Sequence, residues 1–268
     1  AQESLQVERD TIPYSNISLF DEERDYLEGF EVDLAGNYYF LSKTSSTVLT
    51  KHDGQNIILK KQYNEFDPSR MHIWSDSIIV FDTNYEKNNL YILNRNNGNI
   101  IYKRCRILKN RVNAFGFINN KLIIQVFNDE SNININSQMK FLLMDKMGNF
   151  ISFIEHDYGI LGGLKCPPFE VENIEWNSPW FINKWNKCLL YFYIDFVTSD
   201  YIFILFNPVS QSQYTYRFPE NYFGYQFYDP WFEFIKLRNG ILHVVGYNKK
   251  NVTITKIKIS QMFPFDND

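Results

Sequence analysis

A three-residue motif that occurs twice constrains the fold of this chain more than any other feature. Pro179-Trp180-Phe181 recurs as Pro230-Trp231-Phe232, and an apolar run follows each copy, Cys188–Ile194 or Ile241–Tyr247. Each run is followed by a polar turn and a second apolar run, Tyr201–Phe206 or Val252–Ile257. A chain that repeats a strand–turn–strand–turn unit is built by stacking copies of one small sheet. We therefore expect a repeat architecture made of β-sheets.

The residue composition favours strands over helices. Aromatic residues make up 18% of the 268 residues, and alanine occurs only at positions 1, 35 and 114. Branched and aromatic side chains pack well on a pleated sheet, whereas alanine is the strongest helix former. The composition predicts an all-β fold in a single domain over residues 1–268, because sheet-built domains often run past about two hundred residues.

The charge distribution limits the classes of partner. The formal net charge is −4 with basic and acidic residues interspersed, so there is no basic face that would hold nucleic acid phosphates. No apolar run approaches the roughly twenty residues of a membrane-spanning helix.

The four histidines lack the spacing of a metal site, so we predict no metal and no cofactor, and His243 is expected to be a core or pore histidine.

Short strand patterns separated by polar turns run through the chain and fall into sets. Asn-Gly and Asp-Gly turns between them are strong hairpin signals, because both residue types tolerate positive φ. Four sets of four strands and one set of three are predicted: Phe30–Leu34, Tyr38–Lys43, Thr47–His52 and Ile57–Tyr63; Met71–Ser75, Ser77–Asp82, Leu90–Asn94 and Ile100–Ile107; Asn113–Ile118, Leu122–Phe127, Lys140–Asp145 and Phe150–Glu155; Trp180–Lys184, Lys187–Ile194, Tyr201–Phe206 and Gln213–Phe218; and Trp231–Leu237, Ile241–Tyr247 and Val252–Ile259.

These sets predict a β-propeller of five blades, each a four-stranded antiparallel meander. Leu5–Glu8 is expected to supply the missing outer strand of the last set by pairing with Val252–Ile259. Pairing of the N- and C-terminal strands closes the ring and protects sheet edges that would otherwise template aggregation. The alternative is a propeller of six blades, with the sixth built partly from the N-terminal stretch and Tyr158–Ser178.

Two kinds of hairpin sequence resemble those of NHL-like β-propellers. The first is an Asp followed by Gly-Asn and an aromatic strand, as in Phe30–Leu41, and Leu90–Ile101 has a related form. The second hairpin is matched by Thr50–Ile58 and Met144–Ile151. The resemblance covers residues 30–157, and its motifs specify a blade rather than an activity.

The residue composition adds to this resemblance, because the Asn-, Ile-, Tyr- and Lys-rich sequence looks like secreted or lipid-anchored propellers of gut Bacteroidetes. It implies a secreted, periplasmic or cell-surface protein, whose leader is absent from this chain and whose precursor carries a lipid anchor. Members of this group are binding or scaffold proteins of the cell envelope. No functional residue is carried over from the resemblance.

Carboxylates are the candidates for catalysis. Some propeller glycosidases place Asp and Glu side chains from inner strands around a central channel, about 5–10 Å apart. Glu31 and Asp33 lie on a predicted first strand, and Asp229 and Glu233 lie near a later blade. They define the alternative function, a glycoside hydrolase or lyase. Asp33 equally fits a turn-capping residue before Gly36-Asn37.

Aromatic residues are the candidates for binding. Phe218–Phe234 is dense in Phe, Tyr and Trp, and much of it is predicted to link two blades. Aromatic rings with polar neighbours suit a sugar face or a protein partner. Tyr222, Tyr225, Tyr228 and Trp176 are therefore the predicted binding residues, while Trp180 and Trp231 are expected to pack between blades. The sequence favours a non-catalytic recognition or scaffold protein that binds a protein or glycan through loops on one face.

Overall fold

A computed structural model describes residues 5–17, 26–43, 46–65, 70–84, 87–104, 112–118, 121–126, 140–145, 147, 149–154, 180–195, 197–219, 221–223, 234–247 and 250–263. In these ranges the chain forms twenty β-strands and two helical turns of four residues each, α1 (Tyr14–Ile17) and α2 (Ile259–Met262). The predicted all-β class is confirmed.

Three four-stranded antiparallel sheets follow one another in the first part of the chain, and each is a meander of consecutive strands. Their strands are β2 (Tyr26–Val32), β3 (Tyr38–Lys43), β4 (Thr47–His52) and β5 (Ile57–Tyr63); β6 (Arg70–Trp74), β7 (Ser77–Asn84), β8 (Lys87–Asn94) and β9 (Ile100–Arg104); and β10 (Val112–Ile118), β11 (Lys121–Val126), β12 (Lys140–Met144) and β13 (Phe150–Ile154).

The last part of the chain forms a fourth meander and a composite sheet. The composite sheet has the order β1-β20-β19-β18, so a strand from the N-terminal region completes three strands from the C-terminal region. The strands are β14 (Trp180–Trp185), β15 (Cys188–Ile194), β16 (Tyr201–Asn207) and β17 (Ser212–Phe218) in the fourth meander, and β18 (Ile235–Arg238), β19 (Ile241–Tyr247), β20 (Asn251–Lys258) and β1 (Val7–Pro13) in the composite sheet.

The number of blades is smaller than the five or six that were predicted. Four-stranded antiparallel meanders are the blades of a β-propeller, and four such blades of consecutive strands are present, not five or six. The remaining sheet is assembled from two distant parts of the chain. No sixth sheet occurs within the ranges described above, and Tyr158–Ser178 lies outside them.

The N-terminal strand pairs with β20 as predicted, but its limits differ. Val7 lies opposite Ile257 and Pro13 opposite Asn251, so the strand begins and ends later than the predicted Leu5–Glu8. Pro13 is tolerated because β1 is at the edge of its sheet, where a missing N–H breaks no ladder on the outer side. The backbone N–H of Tyr14 donates to the carbonyl of Lys250 at 2.7 Å and prolongs the pairing into α1.

The described residues divide into two compact units, each with its own apolar core. Unit 1 lies within residues 1–16, 32–37 and 157–268, and unit 2 within 17–31 and 38–156. The core of unit 2 is formed by residues from the first two meanders: Tyr39, Leu41, Leu49, Tyr63, Met71, Ile73, Ile78, Val80, Tyr91 and Leu93. The core of unit 1 joins the fourth meander to the composite sheet: Leu190, Phe192, Phe203, Leu205, Phe218, Phe223, Leu237, Leu242, Val244 and Ile257 are among its members.

Adjacent sheets of unit 2 are braced by a repeated contact. The ammonium of Lys61 in β5 donates to Oδ1 of Asn99, in the turn before β9. One sheet further along, Nη1 of Arg104 in β9 donates at 2.7 Å to Oδ1 of Asn149, in the turn before β13. A basic residue near the end of one outer strand therefore holds the turn that precedes the next outer strand.

His243 lies mid-strand in β19 and is buried, as the sequence predicted for a core histidine. Burial lowers its pKa from 6.5 to about 4, although hydrogen bonds with the backbone of Ile241 and Lys236 act in the opposite direction. The folded protein therefore holds this imidazole neutral at pH 7. In the unfolded chain it takes up a proton as the pH falls below about 6.5.

This difference predicts an acid-sensitive stability. Because the unfolded chain binds a proton that the folded protein does not, lowering the pH from 7 to 4.5 should reduce the free energy of unfolding by about 2.5 kcal/mol through His243 alone. Urea titrations of the wild type and of His243→Leu at both pH values measure this contribution as the difference between the two pH-dependent losses. The control is Val245→Ala, at a buried apolar position of the same strand. Its free energy of unfolding should be lower than that of the wild type by the same amount at both pH values. Equal losses in wild type and His243→Leu would contradict the assignment.

Within the described residues, no helix is long and apolar enough to cross a membrane.

Candidate functional site

Asp33 is committed to its own turn. It directly follows β2 and begins the turn that leads into β3. Within this turn, Gly36 adopts a left-handed φ of 85°. Its Oδ1 accepts hydrogen bonds from the backbone N–H groups of Ala35 and Asn37, both at 2.9 Å, and its Oδ2 accepts one from the side-chain amide of Asn37. These contacts are those of a turn-capping residue.

The same cap recurs at the β12–β13 hairpin. Asp145 accepts hydrogen bonds from the backbone N–H groups of Met147 and Asn149 and from the side chain of Asn149. Its pKa is lowered, because these hydrogen bonds outweigh the opposing effect of burial. Related caps, in which a side-chain oxygen accepts two backbone N–H groups, are made by Asn94, Asp195 and Asn207. The Asp of the repeated hairpin motif thus has a structural task wherever its contacts are described.

Glu31 is in a different environment from Asp33. Its side chain is fully buried and its Oε1 lies 2.8 Å from Nδ1 of His72, which is partly exposed. Glu31 is on β2 and His72 on β6, the first strands of two successive sheets. The other two predicted channel carboxylates, Asp229 and Glu233, lie outside the described residues. In the part of the chain that is described, no group of three or more His, Cys, Asp or Glu side chains is placed to hold a metal ion.

Tyr222 is the predicted binding residue that the structure describes, and it follows β17 in a short turn. Its backbone N–H donates to the carbonyl of Pro219 at 2.9 Å. The ring is half-buried, with its centroid 4.5 Å from that of Phe218 and 5.2 Å from that of Phe223, which it meets edge-on. Phe218 and Phe223 are themselves in the core of unit 1. One side of Tyr222 is therefore fixed by packing, and the ring is held in a single orientation.

Arg9 of β1 reaches the same turn. Its Nη2 donates to the carbonyl of Tyr222 at 3.1 Å, and its guanidinium carbon lies 5.6 Å from the centroid of the Tyr222 ring. Burial raises the pKa of Tyr222, while the nearby positive charge of Arg9 acts in the opposite direction. The phenol is therefore neutral at physiological pH. Arg9 is exposed, and among the described residues it forms no ion pair with a carboxylate.

Arg9 and Tyr222 together form what we call the Arg9–Tyr222 site, with the half-buried Tyr216 ring packed on the same Phe218. A fixed aromatic ring offers an apolar face, and a neighbouring guanidinium offers several donors in a planar fork. This pairing suits a sugar ring that bears a carboxylate or sulfate, or an aromatic or acidic protein side chain.

The remaining predicted binding residues, Tyr225, Tyr228 and Trp176, lie outside the described residues. Arg9 was not predicted from the sequence. The only signal that could have indicated it is the predicted pairing of the N-terminal strand with the last strand, which places β1 in the same unit as Tyr222.

No protein-family model matches the chain, and no curated protein matches it in sequence. The chain is similar to several solved structures to different degrees. One of them is a protein from Bacteroides fragilis whose export is inferred. It is 11% identical in sequence to this chain, and the two align with a TM-score of 0.52 over 94% of this chain and 95% of the Bacteroides chain. This likeness supports the β-propeller fold.

Two further solved structures are more distant. A hypothetical protein from Leishmania major is 12% identical, with a TM-score of 0.43 over 92% of this chain and 88% of its own. A protein of unknown function from Bacteroides caccae is 6% identical, with a TM-score of 0.36 over 73% of this chain and 64% of its own.

Proposed function

We propose that this protein is a non-catalytic recognition protein of the cell envelope that binds a glycan at the Arg9–Tyr222 site. The observation that carries the proposal is the half-buried Tyr222 ring, fixed from behind by Phe218 and Phe223 and flanked by the exposed Arg9 guanidinium. Because the ring is already oriented, little conformational entropy is lost when a ligand stacks on it. Acidic sugars fit best, since a carboxylate or sulfate can accept hydrogen bonds from Arg9 while the sugar ring covers Tyr222.

The same proposal extends to architecture and location. Residues 1–268 form one propeller domain of NHL-like blades, and the protein is exported to the periplasm or cell surface, with a lipid anchor in its precursor. The hairpin motifs of Phe30–Leu41 and Met144–Ile151 support these points, as does the structural likeness to a Bacteroides protein whose export is inferred.

The contacts of the carboxylates favour recognition over a glycoside hydrolase or lyase. Asp33 uses both oxygens to cap its turn, and Oε1 of Glu31 lies 2.8 Å from Nδ1 of His72. Glycoside hydrolysis requires two carboxyl groups roughly 5–10 Å apart on either side of the scissile bond.

A glycan array tests the proposal. The wild type should bind a subset of acidic oligosaccharides, and Tyr222→Ala and Arg9→Ala should each weaken that binding by about tenfold or more, because each removes one half of the site. Arg9→Lys should recover only part of the affinity, since an ammonium lacks the planar fork. Tyr214→Ala, which removes a more exposed tyrosine of β17 outside the site, is the matched control and should bind as the wild type does.

Two results would refute the proposal. One is the absence of any glycan binding by the wild type, in which case a protein partner becomes the leading explanation of the site. The other is glycan binding that Tyr222→Ala and Arg9→Ala leave unchanged, which would place the glycan elsewhere. Thermal unfolding of each variant distinguishes a lost contact from a lost fold.

A further inference from the structure

A pocket of about 290 Å³ lies at one end of the composite sheet, next to α2. A water molecule in the liquid takes up about 30 Å³, so the pocket has room for a small molecule but not for an oligosaccharide or a protein segment. We call it the Lys258 pocket and define it by six of the residues that line it, all of them in unit 1: Gln6, Glu8, Ile241, Lys256, Lys258 and Gln261.

Three strands bring the charged side chains of the pocket to one face of the sheet. Glu8 lies opposite Lys256 in the β1–β20 pairing, and Lys258 lies opposite Ile241 in the β19–β20 pairing. Lys256 and Lys258 are two residues apart in β20, so their side chains point to the same face. Glu8 and Lys258 are therefore diagonal neighbours, with Cβ atoms about 7 Å apart. One small molecule can contact both.

The helical turn α2 closes one side of the pocket and is fixed in place. The backbone N–H of Ile259 donates to the carbonyl of Gly240 at 2.9 Å, which ties α2 to the β18–β19 hairpin. The side chains of Ile259 and Met262 are buried in the core of unit 1. Gln261, between them, is exposed and lines the pocket. The backbone frame of the pocket is thus already formed, and a ligand has little ordering to do.

The pocket offers a negative group and a positive group on neighbouring positions. Nζ of Lys256 lies 3.1 Å from Oε2 of Glu8 and 3.2 Å from Oδ2 of Asp10, so one ammonium is shared by two carboxylates. Glu8 keeps part of its negative charge, and a ligand can reach it because its side chain is 76% exposed. Lys258 is exposed as well, and within the described residues it forms no ion pair.

This arrangement suits a ligand that carries both charges. An α-amino acid has its ammonium and its carboxylate on one carbon atom, so the ammonium can donate to Glu8 while the carboxylate accepts from Lys258. The amides of Gln6 and Gln261 donate and accept hydrogen bonds, and the half-buried Ile241 offers an apolar wall. A purely anionic ligand such as phosphate would be repelled by Glu8, and a purely cationic ligand by Lys258.

We propose that the Lys258 pocket binds a free α-amino acid with an uncharged side chain, held through its ammonium by Glu8 and through its carboxylate by Lys258. This is a second binding function, beyond glycan recognition. The two sites are separate, because Arg9 and Glu8 are adjacent in β1 and their side chains therefore point to opposite faces of the composite sheet.

Isothermal titration calorimetry of the full chain with L-leucine, L-serine and L-glutamine tests the proposal. At least one of the three should bind with a dissociation constant of about 100 μM. Two analogues of the amino acid that binds each lack one charge: the N-acetyl derivative has no ammonium, and the amide has no carboxylate. Each analogue should bind about tenfold more weakly or worse, because each loses one of the two charge-assisted contacts.

Variants of the two charged residues locate the binding. Lys258→Ala and Glu8→Gln should each weaken binding of the amino acid by about tenfold. Both side chains are exposed, so the midpoint of thermal unfolding should stay close to that of the wild type. Lys187→Ala, which removes an exposed lysine in the β14–β15 turn, is the matched control for Lys258→Ala and should bind as the wild type does. Arg9→Ala should also leave this binding unchanged.

Three results would overturn the proposal. One is the absence of binding by all three amino acids at about 10 mM. Another is binding of the N-acetyl derivative as tight as that of the free amino acid, which would make the pocket a site for anions. The third is binding that Lys258→Ala and Glu8→Gln leave unchanged, which would place the amino acid elsewhere. A failure to bind glycans at the Arg9–Tyr222 site would affect none of these measurements.

Discussion

Replacing His72 by leucine should lower the free energy of unfolding by about 3 kcal/mol, because it removes a close polar partner of a fully buried carboxyl group. Glu31 is completely inaccessible to solvent, and its Oε1 lies 2.8 Å from Nδ1 of His72. A carboxyl group that is buried and loses a hydrogen-bond partner is left with a cost of burial that is no longer fully compensated. Denaturant unfolding at pH 7, monitored by tryptophan fluorescence, measures the loss.

The double variant Glu31→Leu/His72→Leu separates the charge effect from the change of shape. An apolar pair of similar volume can be nearly as stable as a buried ion pair, so the double variant should recover most of the stability that His72→Leu loses. Asp76→Ala is the matched control for an exposed pair, since Asp76 and Arg95 are 3.6 Å apart at the surface and contribute at most about 1 kcal/mol. A loss from His72→Leu no larger than that from Asp76→Ala would show that Glu31 does not depend on His72.

Gly98→Ala should be destabilising by about 3 kcal/mol, the sum of a backbone term and a packing term. Gly98 has a φ of 68°, in the left-handed region that disfavours any residue with a Cβ. A Cβ at this position would also lie 2.8 Å from the hydroxyl oxygen of Tyr63, which donates a hydrogen bond to the carbonyl of Gly98. Tyr63 would have to move, and the turn that Lys61 braces through Asn99 would move with it. Urea unfolding of the variant measures the total.

Gly36→Ala is the matched control for this substitution. Gly36 also has a left-handed φ, of 85°, but a Cβ at this position would have no heavy atom within 4 Å, so only the backbone term of about 1 kcal/mol applies. Adding Tyr63→Phe to Gly98→Ala should cost almost nothing, whereas Tyr63→Phe alone should cost about 1 kcal/mol through the lost hydrogen bond. Equal losses from the two glycine variants would rule out the close approach of Tyr63 as a cause.

The strands were predictable wherever turn chemistry marks both ends. The limits predicted for β3, β4, β5 and β19 agree with the structure residue for residue, because turn-forming Gly, Asn, Asp, Ser and Thr residues separate these strands from their neighbours. The limits of β1 were wrong, since Pro13 argues against a strand unless it is known to lie at a sheet edge. The composite sheet was predictable in outline because the last set lacked an outer strand.

The candidate sites were only partly predictable. The density of aromatic residues indicated Tyr222, but its half-buried position depends on Phe218 and Phe223 beneath it. Arg9 is 213 residues away along the chain, so its contact with Tyr222 follows from tertiary structure alone. The β-bulge at the start of β5, where Lys51 pairs with Leu59 and His52 with Ile57, was not visible in the sequence either, because two adjacent isoleucines are typical of an ordinary strand until their pairing partners are known.

The pairing of β1 with β20 also constrains the order in which the sheets can form. Val7 cannot pair with Ile257 until β20 has been synthesised, whereas each meander contains only neighbouring strands and can form as it emerges. Closing so long a loop is slow, so the composite sheet should be the last to form. β1 is therefore synthesised before all of the meanders described above and is yet among the last strands to be fixed in place.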